Sequence, residues 1–126
     1  MTDPSAIDKL LAQARSTLDR VRVEDLADEV SRGAILIDIR PLGQRQGDGD
    51  LPGAIVIDRN VLEWRLDPSS PHRLPISTGA DVRLIIVCNE GYSSSLAAAT
   101  LNELGLRFAT DLVGGFQAWR AWSGSG

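Results

Sequence analysis

Two short apolar runs constrain this chain more than anything else in it. Ile35-Leu36-Ile37-Asp38-Ile39 and Leu84-Ile85-Ile86-Val87 are apolar almost throughout, and each ends directly in polar residues. Runs of this kind suit strands buried on both faces of a parallel sheet. Helical patterns alternate with them. Residues 24–31 read as a helix with Leu26, Ala27 and Val30 inward, closed by Gly33, where a left-handed helix end is expected. Residues 93–104 read as a second one, rich in alanine, capped by Ser93 or Ser94 and closed by Gly105. Two further strands are expected over 54–57 and 108–112, and a closing helix over 116–122 after the tight turn Gly114-Gly115. Strands alternating with helices argue an α/β domain with a mostly parallel sheet.

The remaining segments are read more briefly. Residues 4–19 carry Ile7, Leu10, Leu11, Ala14 and Leu18 at helical spacing, with Pro4 or Ser5 at the start and Asp8 in the first turn. This is an N-terminal amphipathic helix (residues 1–19 as a unit) docked outside the main domain, with a partner-binding helix as the alternative. Arg40-Pro41 marks a break. Residues 43–53 read as loop with one helical turn, 60–66 as a short helix, and 67–81, with three prolines, as a long connection. The main domain spans 20–122, and Ser123-Gly124-Ser125-Gly126 reads as a flexible tail.

Cys88 is the single cysteine of the 126 residues, and it stands where the second apolar run ends. The polar loop Asn89-Glu90-Gly91-Tyr92-Ser93-Ser94 follows, opening onto the alanine-rich helix. A lone cysteine is most often a small buried hydrophobe. A core thiol, however, has no need of a polar, glycine-containing loop and a helix N-terminus directly after it. Free N–H groups there, together with the helix dipole, favour thiolate over thiol. In open parallel sheets function collects at the carboxyl ends of the strands. Cys88 and Asp38-Ile39-Arg40 both fall at such ends.

Bulk properties narrow the function. A net charge of −4 gives no electrostatic case for nucleic acid or anionic membranes. No apolar stretch approaches the ~20 residues that span a bilayer, and Met1-Thr2-Asp3-Pro4 lacks the pattern of a secretion signal. One cysteine permits no internal disulfide, so a cytoplasmic, reducing setting is expected. His72 is the single histidine and has no companion for a metal site. No metal or cofactor is expected. Trp64, Trp119 and Trp122 read as core anchors.

Four motifs then follow in order: Leu36-Ile37-Asp38-Ile39-Arg40, Gly49-Asp50-Leu51-Pro52-Gly53-Ala54-Ile55, Cys88-Asn89-Glu90-Gly91-Tyr92-Ser93-Ser94, and Leu112-Val113-Gly114-Gly115-Phe116-Gln117-Ala118-Trp119. Together they resemble the single-domain rhodaneses of the rhodanese-like sulfurtransferase superfamily. The resemblance implies a five-stranded, mostly parallel sheet flanked by helices, here with an extra N-terminal helix. It implies that Cys88 accepts a sulfane sulfur as a persulfide, cradled by the amides of Asn89, Glu90, Gly91, Tyr92, Ser93 and Ser94. Read from the residues themselves, Asp38 at a strand end is expected to hydrogen-bond backbone amides of adjoining loops and, with Arg40, to support that site. Cys88 to Ser93 matches the six-residue loop of such sulfurtransferases, whereas the related phosphatases and arsenate reductases carry one residue more. Two positions depart from the pattern: Ser93 stands where many active members have arginine, and Asp50 where histidine is frequent.

The expected chemistry is nucleophilic covalent catalysis in two half-reactions. Thiosulfate, mercaptopyruvate or a persulfide is the donor; the acceptor is external, a small thiol or a protein, because no second cysteine exists. Arg40 and Arg65 are candidates for positive charge near the site, with a structural ion pair as the plainer role for Arg40. Glu90 is expected to face solvent or an arginine. Tyr92 either lines the entrance or is an ordinary surface tyrosine. The competing function is a catalytically weak binding or regulatory module on the same fold, motivated by Ser93.

Overall fold

A computed structural model describes residues 3–76 and 79–125. Among the described residues, four parallel strands form one sheet: β1 (Ile35–Asp38), β2 (Ile55–Val56), β3 (Leu84–Val87) and β4 (Thr110–Asp111), in the order β2-β1-β3-β4. Around them lie α1 (Ala6–Arg15), α2 (Leu26–Ser31), α3 (Leu42–Asp48), α4 (Leu62–Leu66), α5 (Ser93–Glu103) and α6 (Gly115–Ser125).

The sheet has four strands rather than the expected five. The fifth position is occupied by a single residue, Val21, bridged in parallel to Leu112 beside β4. The Val21 N–H donates to the Asp111 carbonyl at 3.0 Å, and the Val113 N–H donates to the Val21 carbonyl at 2.8 Å. Arg22 then turns the chain directly into the 3-10 turn Val23–Asp25 that precedes α2, so the edge stops after one rung.

The two central strands are buried on both faces, as their composition requires. Ile37, Ile39, Leu84 and Ile86 face one layer, with Ala97, Ala98 and Leu101 of α5 and Leu62 and Leu66 of α4. Leu36, Ile85 and Val87 alternate to the other, against Leu26 of α2 and Phe116 of α6. Each fully buried Ile or Leu is worth roughly 2–3 kcal/mol of transfer free energy. The chain steps outward from β1 to β2, then crosses back to β3, so the topological switch lies between β1 and β3. Asp38 and Val87 are register partners there, and the Ile39 N–H donates to the Val87 carbonyl at 2.9 Å. Cys88 therefore emerges beside Ile39 and Arg40, at the crevice where parallel sheets gather ligands.

Several local expectations change. Ser5 caps α1 through the Asp8 N–H at 3.1 Å, but Ile7 and Leu10 on its apolar stripe are exposed, while Leu11, Ala14 and Leu18 pack inward. Ala27 and Val30 of α2 are likewise exposed, since that helix turns Leu26 alone fully inward. Residues 42–48 form a complete short helix rather than a loop with one turn. Trp64 and Trp122 lie largely at the surface; Trp119 packs on Phe116 with ring centroids 5.5 Å apart. α6 continues to Ser125, into the stretch read as a tail, and Gly126 lies outside the described residues.

Candidate active site

β3 delivers Cys88 to a cleft of about 340 Å³. One wall is the exit of β1 and the start of α3, with Ile39, Arg40, Pro41 and Gln44. The other is the loop itself, with Cys88, Asn89, Glu90, Tyr92 and Ser93. Cys88 as a residue is 7% exposed and lines the floor of that cleft. The Gly91 N–H donates to Cys88 Sγ at 3.1 Å.

The Cys88 thiol is held below its ordinary pKa by a contest that the donors win. Burial pushes it up; the Ser94 hydroxyl and N–H, the Ser93 hydroxyl and the Gly91 N–H together pull it down further than burial raises it. The Ser94 hydroxyl carries one hydrogen and has two claimants, because it also lies 2.7 Å from Asp111 Oδ2. Asp111 already receives Arg20 Nε at 2.8 Å, Arg20 Nη2 at 3.2 Å and the Ser95 hydroxyl at 2.7 Å. It stays satisfied when Ser94 turns to the sulfur.

The loop is held from behind by backbone. The Phe116 N–H donates to the Cys88 carbonyl at 2.8 Å and the Gln117 N–H to the Asn89 carbonyl at 3.0 Å. Those carbonyls are thereby turned toward α6, away from the cleft. Only glycine permits this approach. A Cβ on Gly115, which has φ +61°, would stand 2.5 Å from the Cys88 carbonyl oxygen and 2.7 Å from the Gly91 nitrogen. A Cβ on Gly91, φ +87°, would stand 2.8 Å from the Gly114 nitrogen. The Gln117 side chain adds a bridge, donating to Asn89 Oδ1 at 3.0 Å and to Asp48 Oδ2 at 2.9 Å.

The expected site residues divide. Asn89, Glu90, Tyr92 and Ser93 line the cleft, and Gly91 and Ser94 meet the sulfur from beneath. Tyr92 stands at the N-cap of α5 without a side-chain cap, so neither Ser93 nor Ser94 caps that helix. Ser94 is wholly buried and its hydroxyl serves Asp111 and Cys88 instead. Asp38 and Arg40 form a buried ion pair, Arg40 Nη2 to Asp38 Oδ2 at 2.8 Å. Arg40 also donates to the Gly49 carbonyl at 3.0 Å and stacks 3.6 Å over the Phe116 ring. It braces the wall of the cleft and offers no exposed charge. Arg65 is elsewhere, donating to the His72 carbonyl at 2.8 Å, so it brings no charge to the site. Glu90 is exposed at the rim and makes no ion pair among the described residues.

Three residues behind the loop were not anticipated: Asp111, Arg20 and Arg15. Asp111 had a signal, because it falls inside the segment 108–112 predicted to be a strand, and a carboxylate that such a strand buries must find a cation. Arg15 had none; its partner, the Gly91 carbonyl at 2.8 Å, is 76 residues away in the chain.

A thiolate-favouring loop at the switch point of a small parallel sheet defines the class of protein, and similarity to known proteins gives the family. The chain belongs to the rhodanese-like domain family, whose description matches residues 22–121. It is 30% identical over 106 residues to the thiosulfate sulfurtransferase GlpE of Ectopseudomonas mendocina, covering 84% of this chain and 88% of that protein. It is 33% identical over 104 residues, 79% of this chain, to the adenylyltransferase and sulfurtransferase UBA4 of Lodderomyces elongisporus. The chain spans only 23% of that larger relative. Among solved structures, a Rhodopseudomonas palustris protein of unknown function, described as a possible tyrosine phosphatase, superposes with a TM-score of 0.84 at 31% identity. That match covers 98% of this chain and 95% of the other. Sulfurtransferases among the relatives support a sulfurtransferase-type enzyme. Among the described residues, no helix is long and apolar enough to cross a membrane.

Proposed function

We propose that this protein moves sulfane sulfur through a persulfide on Cys88. The thiolate attacks the outer sulfur of a donor; a Cys88 S–S bond forms while the donor's own S–S or C–S bond breaks, and the electron pair leaves with the donor remnant. An external acceptor nucleophile then attacks the terminal sulfur, and Cys88 departs as thiolate. The observation that carries this reading is a thiol whose pKa is lowered despite its burial, at the floor of an open cleft, with the Gly91 N–H aimed at its sulfur. With no second cysteine in the chain, sulfur leaves to a small thiol or a protein acceptor. A reducing cytoplasm suits a carrier that must return to the thiolate after each turn.

The cleft also bears on the donor. The Arg40 charge is buried and paired with Asp38, although its Nη1 has no hydrogen-bond partner; Ser93 contributes only a hydroxyl, and Glu90 adds negative charge to the rim. Such a cleft suits a persulfide or other weakly charged donor better than the thiosulfate dianion. Incubation with a donor, followed by intact-mass measurement, is expected to add the mass of one sulfur at Cys88. Absence of that adduct with thiosulfate, mercaptopyruvate and a persulfide alike overturns the proposal. Cys88→Ser is expected to remain folded and lose turnover.

A phosphatase reading is prompted by the description of the Rhodopseudomonas palustris protein. The loop disfavours it: no arginine stands between Cys88 and Leu96 to hold a phosphate dianion. Cys88-dependent hydrolysis of a generic aryl phosphate is the result that would favour it.

A further inference from the structure

α1 sits outside the matched family segment, which begins at residue 22, yet its last residue reaches the loop that carries Cys88. Arg15 Nη2 donates to the Gly91 carbonyl at 2.8 Å, and Nε donates to the Ser95 hydroxyl at 3.0 Å. Its guanidinium lies 5.6 Å from the centroid of the Tyr92 ring. Arg20 Nη2 donates to the same Gly91 carbonyl at 3.1 Å. Gly91 is therefore gripped from two sides: its N–H on the Cys88 sulfur, its C=O on two guanidinium groups.

We propose that Arg15 is a positioning residue of the sulfur-transfer site, delivered by α1 to fix the Gly91 peptide groups against Cys88. The proposal rests on the sulfur-transfer reading above. A glycine at φ +87° has no side chain to hold its conformation, so its peptide planes turn unless something pins them. In a trans peptide the C=O and the following N–H point opposite ways. Holding the Gly91 carbonyl toward α1 therefore turns the Tyr92 N–H away from α1, and donation to the carbonyl polarises that N–H. Arg20 alone does not serve equally, because its charge is balanced by the buried Asp111 carboxylate at 2.8 Å. Arg15 makes no direct ion pair among the described residues; the Asp111 carboxylate reaches it only through the Ser95 hydroxyl, so its positive charge behind the loop is less closely balanced than that of Arg20. Packing of α1 against α5, with Ala14 buried, gives α1 a fixed place from which to present it.

Other charges near Cys88 are accounted for. Glu90 stands in the loop itself, Arg40 follows β1 paired with Asp38, Asp111 on β4 is paired with Arg20, and Asp48 at the end of α3 is paired with Arg120 of α6. Tyr92 is the remaining titratable group.

The test compares Arg15→Ala, Arg15→Lys and Arg22→Ala, the last a control whose arginine pairs with Glu24 at the exposed surface. Two quantities are read: the rate of Cys88 alkylation across pH, and the single-turnover rate of persulfide formation. Arg15→Ala is expected to slow persulfide formation roughly tenfold, the scale of one charge-assisted hydrogen bond, and to move the alkylation profile to higher pH. Arg15→Lys is expected to recover part of both, and Arg22→Ala to match the parent protein. If Arg15→Ala does not fold, Arg15→Gln, which keeps a donor without the charge, is held to the same criteria. Folded Arg15 variants with the parent's profile and rate overturn the proposal. So does a Lys variant that regains thermal stability without regaining reactivity. Alkylation needs no sulfur donor, so a parent protein that alkylates normally but takes up no sulfur defeats the sulfur-transfer reading instead.

Discussion

The two sides of the Cys88 loop are built from opposite materials. The cleft side is short of charge: a hydroxyl at Ser93, a carboxylate at Glu90 with no ion pair among the described residues, and a buried arginine, Arg40, whose charge is paired with Asp38 while its Nη1 has no hydrogen-bond partner. The rear is crowded with charge and bare backbone: Asp111, Arg20, Arg15, and the glycine pair Gly114-Gly115 pressed on the loop. Holding the sulfur and holding the donor are therefore separate tasks here. The rear fixes the loop around Cys88, while the front leaves the donor only weakly selected.

Substitutions on each side are expected to have different consequences. The largest effect is expected at Gly115. An alanine Cβ there would stand 2.5 Å from the Cys88 carbonyl oxygen in a left-handed conformation, so Gly115→Ala should cost about 3 kcal/mol or more and displace the loop. Denaturant unfolding and the rate of Cys88 alkylation should both fall together.

Asp111→Asn comes next. It leaves the largely buried Arg20 without its carboxylate, a loss of roughly 2–3 kcal/mol, below the range for fully buried pairs because Arg20 keeps some water contact. Chemistry at the front should move the other way: with a negative charge gone and the Ser94 hydrogen freed for the sulfur, the Cys88 thiol should become more acidic. A variant less stable and less acidic at Cys88 would contradict the separation of the two sides. The smallest structural effect is expected at Ser93, which is exposed. Ser93→Arg should change stability by under about 0.5 kcal/mol while raising kcat/KM for thiosulfate roughly tenfold, as one charge-assisted contact would. Unchanged thiosulfate kinetics would show that the missing cation does not limit that donor.

Much of the front was legible in the sequence, and little of the rear. β1 and β3 were readable because a strand buried on both faces must be continuously apolar. Cys88 was readable because its strand, loop and helix are contiguous, so local pattern carries the geometry. The single-rung edge at Val21 was not, since one bridged residue leaves no periodicity. Nor was the exposure of Ile7 and Leu10, because an apolar stripe does not say how much of it finds a partner. Arg15 and Arg20 lie 76 and 71 residues from the carbonyl they share, and no local signal marks a contact at that separation. Gly114-Gly115 reads locally as a turn; only the packed structure shows that it is the seat of the loop.

Whether the fold keeps Cys88 as a thiolate open to water is read from the pH profile of its alkylation by iodoacetamide, with Cys88→Ser as the blank. Donors from Ser94, Ser93 and Gly91 outweigh burial, so the midpoint should fall below the about 8.5 of a free cysteine. The native state should in turn gain stability from Cys88 that is complete above that unfolded value and lost as pH drops through the folded one. A midpoint at or above that of a free thiol, or a thiol that alkylates only on unfolding, would contradict the account.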